Sequence, residues 1–284
     1  MENEVKIALM YDFDGTLVAG NMQEYSFIEQ VGSQVINFWQ ECDDLAVKNN
    51  ADKILSCMYK MVDKARKTTN FSVTREGFKK HGKNIVLFEG VKEWFKRINA
   101  FGKSLGVTIE HYIISSGLKE IIEGTSIANE FKQIFACEFI YDENGEAVWP
   151  SHSVNYTNKT QYLFRIRNAD FNLYDAETIN KHHADIKYAI PFKRMVYIGD
   201  GETDVPCMKL VKTYGGYSIA VYDPNSNHKK QQADELMRYA RADYSCPANY
   251  SENSLIGITI KNIIQKMAIE ANLTKISEEI KNKI

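Results

Sequence analysis

At 284 residues with 44% hydrophobic side chains, the chain is long enough to bury one good core and a smaller second one. Lysine and arginine total 35 against 37 acidic residues, which excludes a global electrostatic pull towards nucleic acid or an anionic membrane. No stretch approaches the ~20 apolar residues that span a bilayer, and Glu2-Asn3-Glu4 leads into an apolar segment without a basic leader, so a cytoplasmic home is expected. The five cysteines, Cys42, Cys57, Cys137, Cys207 and Cys246, contain no C-x-x-C pair and read as reduced packing residues, not as a disulfide framework or zinc site.

The first element is a strand at 5–11, where Ile7, Ala8, Leu9 and Met10 follow one another without alternation. Such a run is buried on both faces, as in parallel sheets covered by helices. It ends in Asp12-Phe13-Asp14-Gly15-Thr16, which sets two carboxylates just beyond the strand's carboxyl end, where open parallel sheets bind ligands. Carboxylates one residue apart repel each other unless a cation sits between them or one keeps a proton. The pattern then turns helical. Phe27, Ile28 and Val31 precede Gly32, and Val35, Ile36 and Trp39 follow it, which predicts two amphipathic helices; Ile54, Met58, Met61, Val62 and Ala65 form the stripe of another. Residues 21–84 are therefore expected to be a small α-helical domain inserted into an α/β core formed by residues 1–20 and 85–284. The short basic clusters Lys79-Lys80 and Lys229-Lys230 read as solvated helix faces.

A helix over about 91–105 leads to a strand at 109–114 that ends at Ser115-Ser116-Gly117. Residues 119–135 read as helix interrupted at Gly124. Asp142-Glu143-Asn144-Gly145 separates two short strands and carries the Asn-Gly hairpin signal; it resembles a calcium loop only faintly, lacking the closing bidentate glutamate. Strands at 194–198, ending at Gly199-Asp200, and at 217–222 follow, and a helix from residue 255 closes the chain. Strand-helix alternation of this kind predicts a doubly wound parallel sheet with right-handed crossovers.

Four pieces with matching chemistry thus fall at strand ends: Asp12 and Asp14, Ser115, Lys159 ahead of a helix near Thr160, and Asp200 with Asp204. Hard carboxylate oxygens on Asp12 and Asp200 suit one Mg²⁺, which completes its shell with waters and phosphate oxygens and would polarise a phosphoryl group. Ser115, Lys159 and the backbone amides of 14–16 and 116–117 offer donors to the remaining phosphate oxygens, with Gly15 and Gly117 allowing close backbone approach.

These residues resemble the haloacid dehalogenase-like superfamily of phosphohydrolases, in particular its phosphoserine-phosphatase-like branch with a helical cap of type one. D-x-D-G-T is matched by residues 12–16, the apolar strand ending in serine by 112–115, the lone lysine by Lys159, and G-D-x-x-x-D by Gly199-Asp200-Gly201-Glu202-Thr203-Asp204, in the family's order. The resemblance implies a magnesium-dependent phosphatase acting on a small phosphomonoester. In it Asp12 would be the nucleophile that forms an aspartyl-phosphate, and Asp14 the acid for the leaving oxygen and then the base for water. Phosphate would be bound by Ser115, Ser116, Gly117, Lys159, Gly15 and Thr16, and the metal by Asp12, Asp200 and the backbone carbonyl of Asp14. Asp204 would orient Lys159 or the metal's waters.

Each site residue has a plainer reading. Ser115 or Ser116 can cap a helix, Asp204 can cap the helix holding Met208, and Lys181 and Lys187 are further candidates for the family lysine. His182-His183 cannot face one way on a helix and reads as surface or loop. Phosphoserine phosphatases carry an acidic residue near the place of Asn21 and a serine where Gly15 stands, so the match points away from phosphoserine itself. Glu24, one turn later, either holds a cationic leaving group or is a solvated first-turn charge. A phosphomutase of the same fold, or a non-catalytic phosphate-binding regulator, would keep much of the pattern. A true dehalogenase would need neither Asp14 nor Asp200.

Overall fold

The computed structural model describes residues 5–175 and 188–283. Seven strands form one sheet in the order β4-β3-β2-β1-β5-β6-β7. They are β1 (Val5–Tyr11), β2 (Val107–Leu118), β3 (Gln133–Tyr141), β4 (Ala147–His152), β5 (Met195–Gly199), β6 (Tyr217–Tyr222) and β7 (Tyr244–Pro247). All neighbours are parallel except β3 and β4, which form the hairpin expected around Asn144-Gly145. The chain leaves β1 towards β2 and returns on its other side with β5, so β1 is the switch point where a doubly wound sheet opens a crevice. Residues 7–11 of β1 are fully buried, as their unbroken apolar run requires.

Helix α5 (Val91–Ser104) packs on β2 through a buried polar relay. Trp94 Nε1 donates to Tyr11 Oη at 2.9 Å, Tyr11 Oη lies 3.1 Å from His111 Nδ1, and His111 Nε2 lies 2.9 Å from Asn99 Oδ1. Every buried polar atom in it has a partner, which is the condition for placing such groups in a core. The last helix, α10 (Leu255–Lys281), is preceded by Tyr250, whose hydroxyl donates to Thr16 O at 2.8 Å and ties the end of the chain to the loop after β1.

Between β1 and α5 the chain forms a 3-10 turn (Met22–Tyr25) and helices α1 (Phe27–Gln30), α2 (Val35–Asn49), α3 (Lys53–Lys67) and α4 (Arg75–Gly82). Asp52 caps α3 by accepting from Leu55 N at 2.9 Å, and Thr74 caps α4 by accepting from Gly77 N at 3.1 Å. The segment's core is aromatic: Phe27 packs against Phe38, Phe71, Phe78 and His81. Its entry and exit lie side by side, for Val18 bridges Leu87 and Phe88 N donates to Leu17 O at 2.9 Å. The stripe of α2 differs from the expected one. Ile36 is 82% exposed and Val35 is also exposed, while Phe38 and Cys42, one turn apart, face inward. Cys42 and Cys57 meet across α2 and α3 with sulfurs 3.1 Å apart, both as free thiols.

The long helix expected over 119–135 is not formed. Helix α6 (Lys119–Glu123) stops at Gly124, a 3-10 turn covers Ala128–Glu130, and Gln133 already begins β3. Two backbone demands override the apolar periodicity. Gly124 lies against the carbonyl of Lys79, where a Cβ would collide, and Phe135, Ala136 and Cys137 are needed as a buried strand beside β2. The reciprocal close approach, Gly82 against Ile121 O, docks α4 on α6. Helix α7 (Lys159–Asn168) begins at Lys159 itself, and α8 (Val205–Thr213) and α9 (Asn227–Arg238) follow β5 and β6.

Candidate active site

The carboxyl ends of β1, β2 and β5 converge on one group of buried charges. Asp12, the first residue beyond β1, donates its amide N–H to Ile198 O at 2.9 Å, which continues the pairing with β5 and fixes the side chain's origin. Its Oδ1 accepts from Phe13 N at 2.7 Å and its Oδ2 from Lys159 Nζ at 2.8 Å. Gly15 follows in the left-handed region at φ 70°, and a Cβ there would collide with the carboxylate of Asp200. Asp14 Oδ1 accepts from Met22 N at 2.9 Å, the first amide of the helical segment. Met22 also lies over β2, its sulfur accepting from Leu118 N at 3.2 Å, so one residue joins the two strand ends.

Lys159 is completely buried. Its ammonium donates to Asp12 Oδ2 at 2.8 Å and to Asp204 Oδ1 at 2.7 Å; Asp204 Oδ1 also accepts from Tyr197 Oη at 2.7 Å. Burial opposes the lysine's charge, but Asp12 and Asp204 outweigh it and raise the pKa above the ordinary lysine value. Asp204 Oδ2 accepts from Gly201 N at 3.3 Å, and its side chain makes no cap to α8, so of its two readings the structure shows the lysine contact. Asp200 Oδ2 accepts from Lys229 Nζ at 3.0 Å. One oxygen each of Asp12, Asp200 and Asp204 lie within 4.8 Å of one another.

This cluster is short of positive charge. Burial, and secondarily the neighbouring acids, push the Asp12 carboxyl up to about 7 against the pull of Lys159. Burial and the Asp12 charge hold Asp14 well above the ordinary range, and burial and Asp204 raise Asp200 despite Lys229. Carboxylates raised above their ordinary range by burial and by one another, with oxygens this close, form a hard-oxygen donor set, and the residues fit Mg²⁺.

The remaining candidates are distributed unevenly. Ser115 is buried at the end of β2 and its Oγ accepts from Gly117 N at 3.1 Å, whereas Ser116 is half-buried with its carbonyl facing the Cys137 thiol. Thr16 is buried, and its hydroxyl has no hydrogen-bond partner among the described residues. Glu24 is not the solvated charge of the plainer reading: its Oε1 accepts from Asn21 Nδ2 at 2.7 Å and from the Trp39 indole at 2.8 Å, and it stands close enough to Asp14 to raise that residue's pKa. Asp142 spends its Oδ1 on the amides of Asn144 and Glu146, both at 2.9 Å, as a hairpin residue rather than a calcium ligand. Lys181, Lys187 and His182-His183 lie outside the described residues.

Three contacts escaped the sequence reading: Tyr197 on Asp204, Met22 on both strand ends, and Lys229 on Asp200. Lys229 corrects the reading of Lys229-Lys230 as a solvated face, which holds only for Lys230, 54% exposed and paired with Asp234. For Tyr197 a signal existed in principle, since a hydroxyl in an otherwise apolar strand three residues before Asp200 needs a polar partner.

The model of the haloacid dehalogenase-like hydrolase family matches residues 9–209. A protein of Borreliella burgdorferi called uncharacterized is 30% identical over 277 residues, spanning 86% of this chain and 93% of that protein. Among solved structures, a phosphoserine phosphatase with a phospho-aspartyl intermediate analogue superposes with a TM-score of 0.52 at 18% identity, covering 85% of this chain and 93% of that one. A probable phosphoserine phosphatase from Vibrio cholerae gives 0.57 at 13% identity, covering 96% and 67%. A HAD family hydrolase from Salmonella enterica gives 0.54 at 16%, covering 84% and 66%. At these identities the structural likeness is one of fold, and the family match carries the assignment: the chain belongs to the haloacid dehalogenase-like hydrolases. It is a hydrolase built on the expected doubly wound sheet.

Proposed function

We propose that this hydrolase is a Mg²⁺-dependent phosphatase that cleaves a small organic phosphomonoester through an aspartyl-phosphate on Asp12. The observation that carries the reading is the pairing at the end of β1: Asp12 is held by Lys159 and Phe13 N, and Asp14, two residues on, is held by Met22 N where burial and the Asp12 charge raise its pKa well above the ordinary carboxylate range. Bound Mg²⁺, held by Asp12, Asp200 and the Asp14 carbonyl, would neutralise the carboxylates and draw electron density from the phosphoryl group. An Asp12 oxygen forms a bond to phosphorus as the ester P–O bond breaks, and the Asp14 proton passes to the departing oxygen. Asp14, now a carboxylate, takes a proton from water, whose oxygen attacks the same phosphorus, breaks its bond to Asp12 and releases phosphate.

Lys159 serves both halves of the cycle, because an ammonium between Asp12 and Asp204 offsets charge that desolvation would otherwise magnify. Ser115, the 116–117 amides, Gly15 and Thr16 are the proposed phosphate cradle. Residues 21–84 are the proposed cap over the site, supported by the adjacent chain entry and exit at Val18 and Leu87. In it Glu24 is the leaving-group contact, held in place by Trp39 and suited to a cationic leaving group. A cytoplasmic location belongs to the same reading, supported by five cysteines without a C-x-x-C pair or disulfide framework in the sequence. No helix among the described residues is long and apolar enough to cross a membrane.

The reading is tested by assaying phosphocholine, phosphoserine, nucleoside monophosphates and an aryl phosphate with magnesium and with chelator. Turnover of one group of esters that stops on chelation is expected. Hydrolysis at the same rate by Asp12→Asn would remove the nucleophile assignment.

A further inference from the structure

The two lysines of the site are built differently. Lys159 is fully buried and shared between two carboxylates, so it cannot leave without stranding them. Lys229 has a fixed backbone and a free side chain. Its amide donates to the capping Ser226 Oγ at 3.3 Å in the first turn of α9, while its side chain is 45% exposed and its ammonium has, among the described residues, a single carboxylate partner, Asp200 Oδ2 at 3.0 Å. That oxygen is the Asp200 atom nearest to where a Cβ on Gly15 would stand, so it faces the loop that carries Asp12 and Asp14.

On the reading of Asp200 as a metal ligand, we propose that Lys229 is a tethered cation that occupies Asp200 while the site holds no metal. Binding of a divalent ion then requires its displacement, and Lys229 thereby sets the metal affinity. A Mg²⁺ ligand oxygen sits about 2.1 Å from the ion, and an ammonium hydrogen-bonded to the same oxygen would place two positive charges in near contact. Lys229 is 45% exposed while Asp200 is only 14% exposed, so the ammonium can turn into water and the incoming ion takes over the charge of the carboxylate it leaves. The consequence is a site whose acidic group is partly neutralised when empty and whose occupancy responds to the free metal concentration over a higher range than the bare carboxylates would give.

The test is metal binding, not turnover. Mn²⁺ is titrated into the metal-free protein and the free aqua ion is followed by electron paramagnetic resonance, for wild type, Lys229→Met, Lys229→Arg and Lys230→Met. Lys229→Met should tighten binding roughly three- to ten-fold, in line with removal of a weak competing ion pair. Lys229→Arg should stay near wild type. Lys230→Met, which removes the same charge from the neighbouring position paired with Asp234, should leave affinity unchanged. Unchanged or weaker binding by Lys229→Met, or equal tightening by Lys230→Met, would overturn the proposal. Asp200→Asn separates the two levels: if it loses Mn²⁺ while Lys229→Met matches wild type, only the role of Lys229 fails, and if it binds as wild type does, the metal reading beneath it fails as well.

Discussion

The carboxyl edge of the sheet and the helical segment after β1 are held together by opposite means. The edge gathers Asp12, Asp14, Asp200 and Asp204 around one buried lysine and one half-exposed lysine, so its charges are left to be balanced by what binds there. The helical segment closes on Phe27, Phe38, Phe71, Phe78 and His81; it grips the β3–β4 hairpin through Phe78 on Phe139 and Arg66 on Ala147 O, and the loop before α7 through Asp52, which accepts from Asn155 Nδ2. The difference teaches where function is stored. Packing in the helical segment is apolar and shared among rings, whereas the sheet edge rests on buried carboxylates and the lysines paired with them.

The sharpest way to break this contrast is at Lys159. Lys159→Met should lower turnover by at least about a hundredfold and destabilise the fold by about 3–5 kcal/mol, since Asp12 and Asp204 stay buried without their cation. Urea denaturation beside single-turnover kinetics measures both, and an active, stable variant would deny the lysine its central place. At the other pole, Phe78→Ala should cost about 3 kcal/mol through the cavity between Phe27 and Phe139, with metal affinity unchanged. A matching loss of metal affinity would show that the two regions are not separate.

The helical segment and the middle of the sheet each bury one neutral histidine, which makes a matched pair for pH studies. Burial alone lowers His81 in the helical segment to about 4 and His111 on β2 to about 3, from the ordinary 6.5. The unfolded chain takes up these protons near pH 6.5 and the folded chain only far below it, so the stability they contribute is complete above 6.5 and lost as the pH falls towards those values. By pH 5 the loss is about 2 kcal/mol for each. His81→Gln and His111→Gln should each flatten the pH dependence of the denaturation midpoint by that amount, and a slope identical to wild type would refute the assignment. The smallest effect is expected at Glu24. Glu24→Gln should raise the KM for amine-bearing esters several-fold and leave that for uncharged leaving groups unchanged.

Much of the sheet edge was legible because its signals are local. An unbroken apolar run followed by D-x-D-G-T states both the buried strand and the charge at its end, and Gly199-Asp200 repeats the statement at β5. What escaped depends on partners distant in sequence. Lys229 reads as solvated when only its own helix is considered, because Asp200 lies 29 residues away. Glu24 needs the Trp39 indole on another helix, and α2 turned so that Phe38 and Cys42, not Ile36, face inward. The misread helix over 119–135 failed for the same reason: Ile121, Ile122 and Ile127 have helical spacing, but tight backbone contact at Gly124 and pairing with β2 decide the outcome.

The central claim is that Asp12 becomes phosphorylated during turnover. Mixing enzyme with an accepted substrate and magnesium, quenching in acid and reducing with borohydride converts an aspartyl-phosphate to homoserine, which peptide mass spectrometry locates. The account predicts homoserine at position 12 and nowhere else, dependent on substrate and magnesium. An Asp12 that stays unmodified in wild-type enzyme quenched during magnesium-dependent turnover, and in Asp14→Asn given an aryl phosphate whose leaving group departs without an acid, would contradict it.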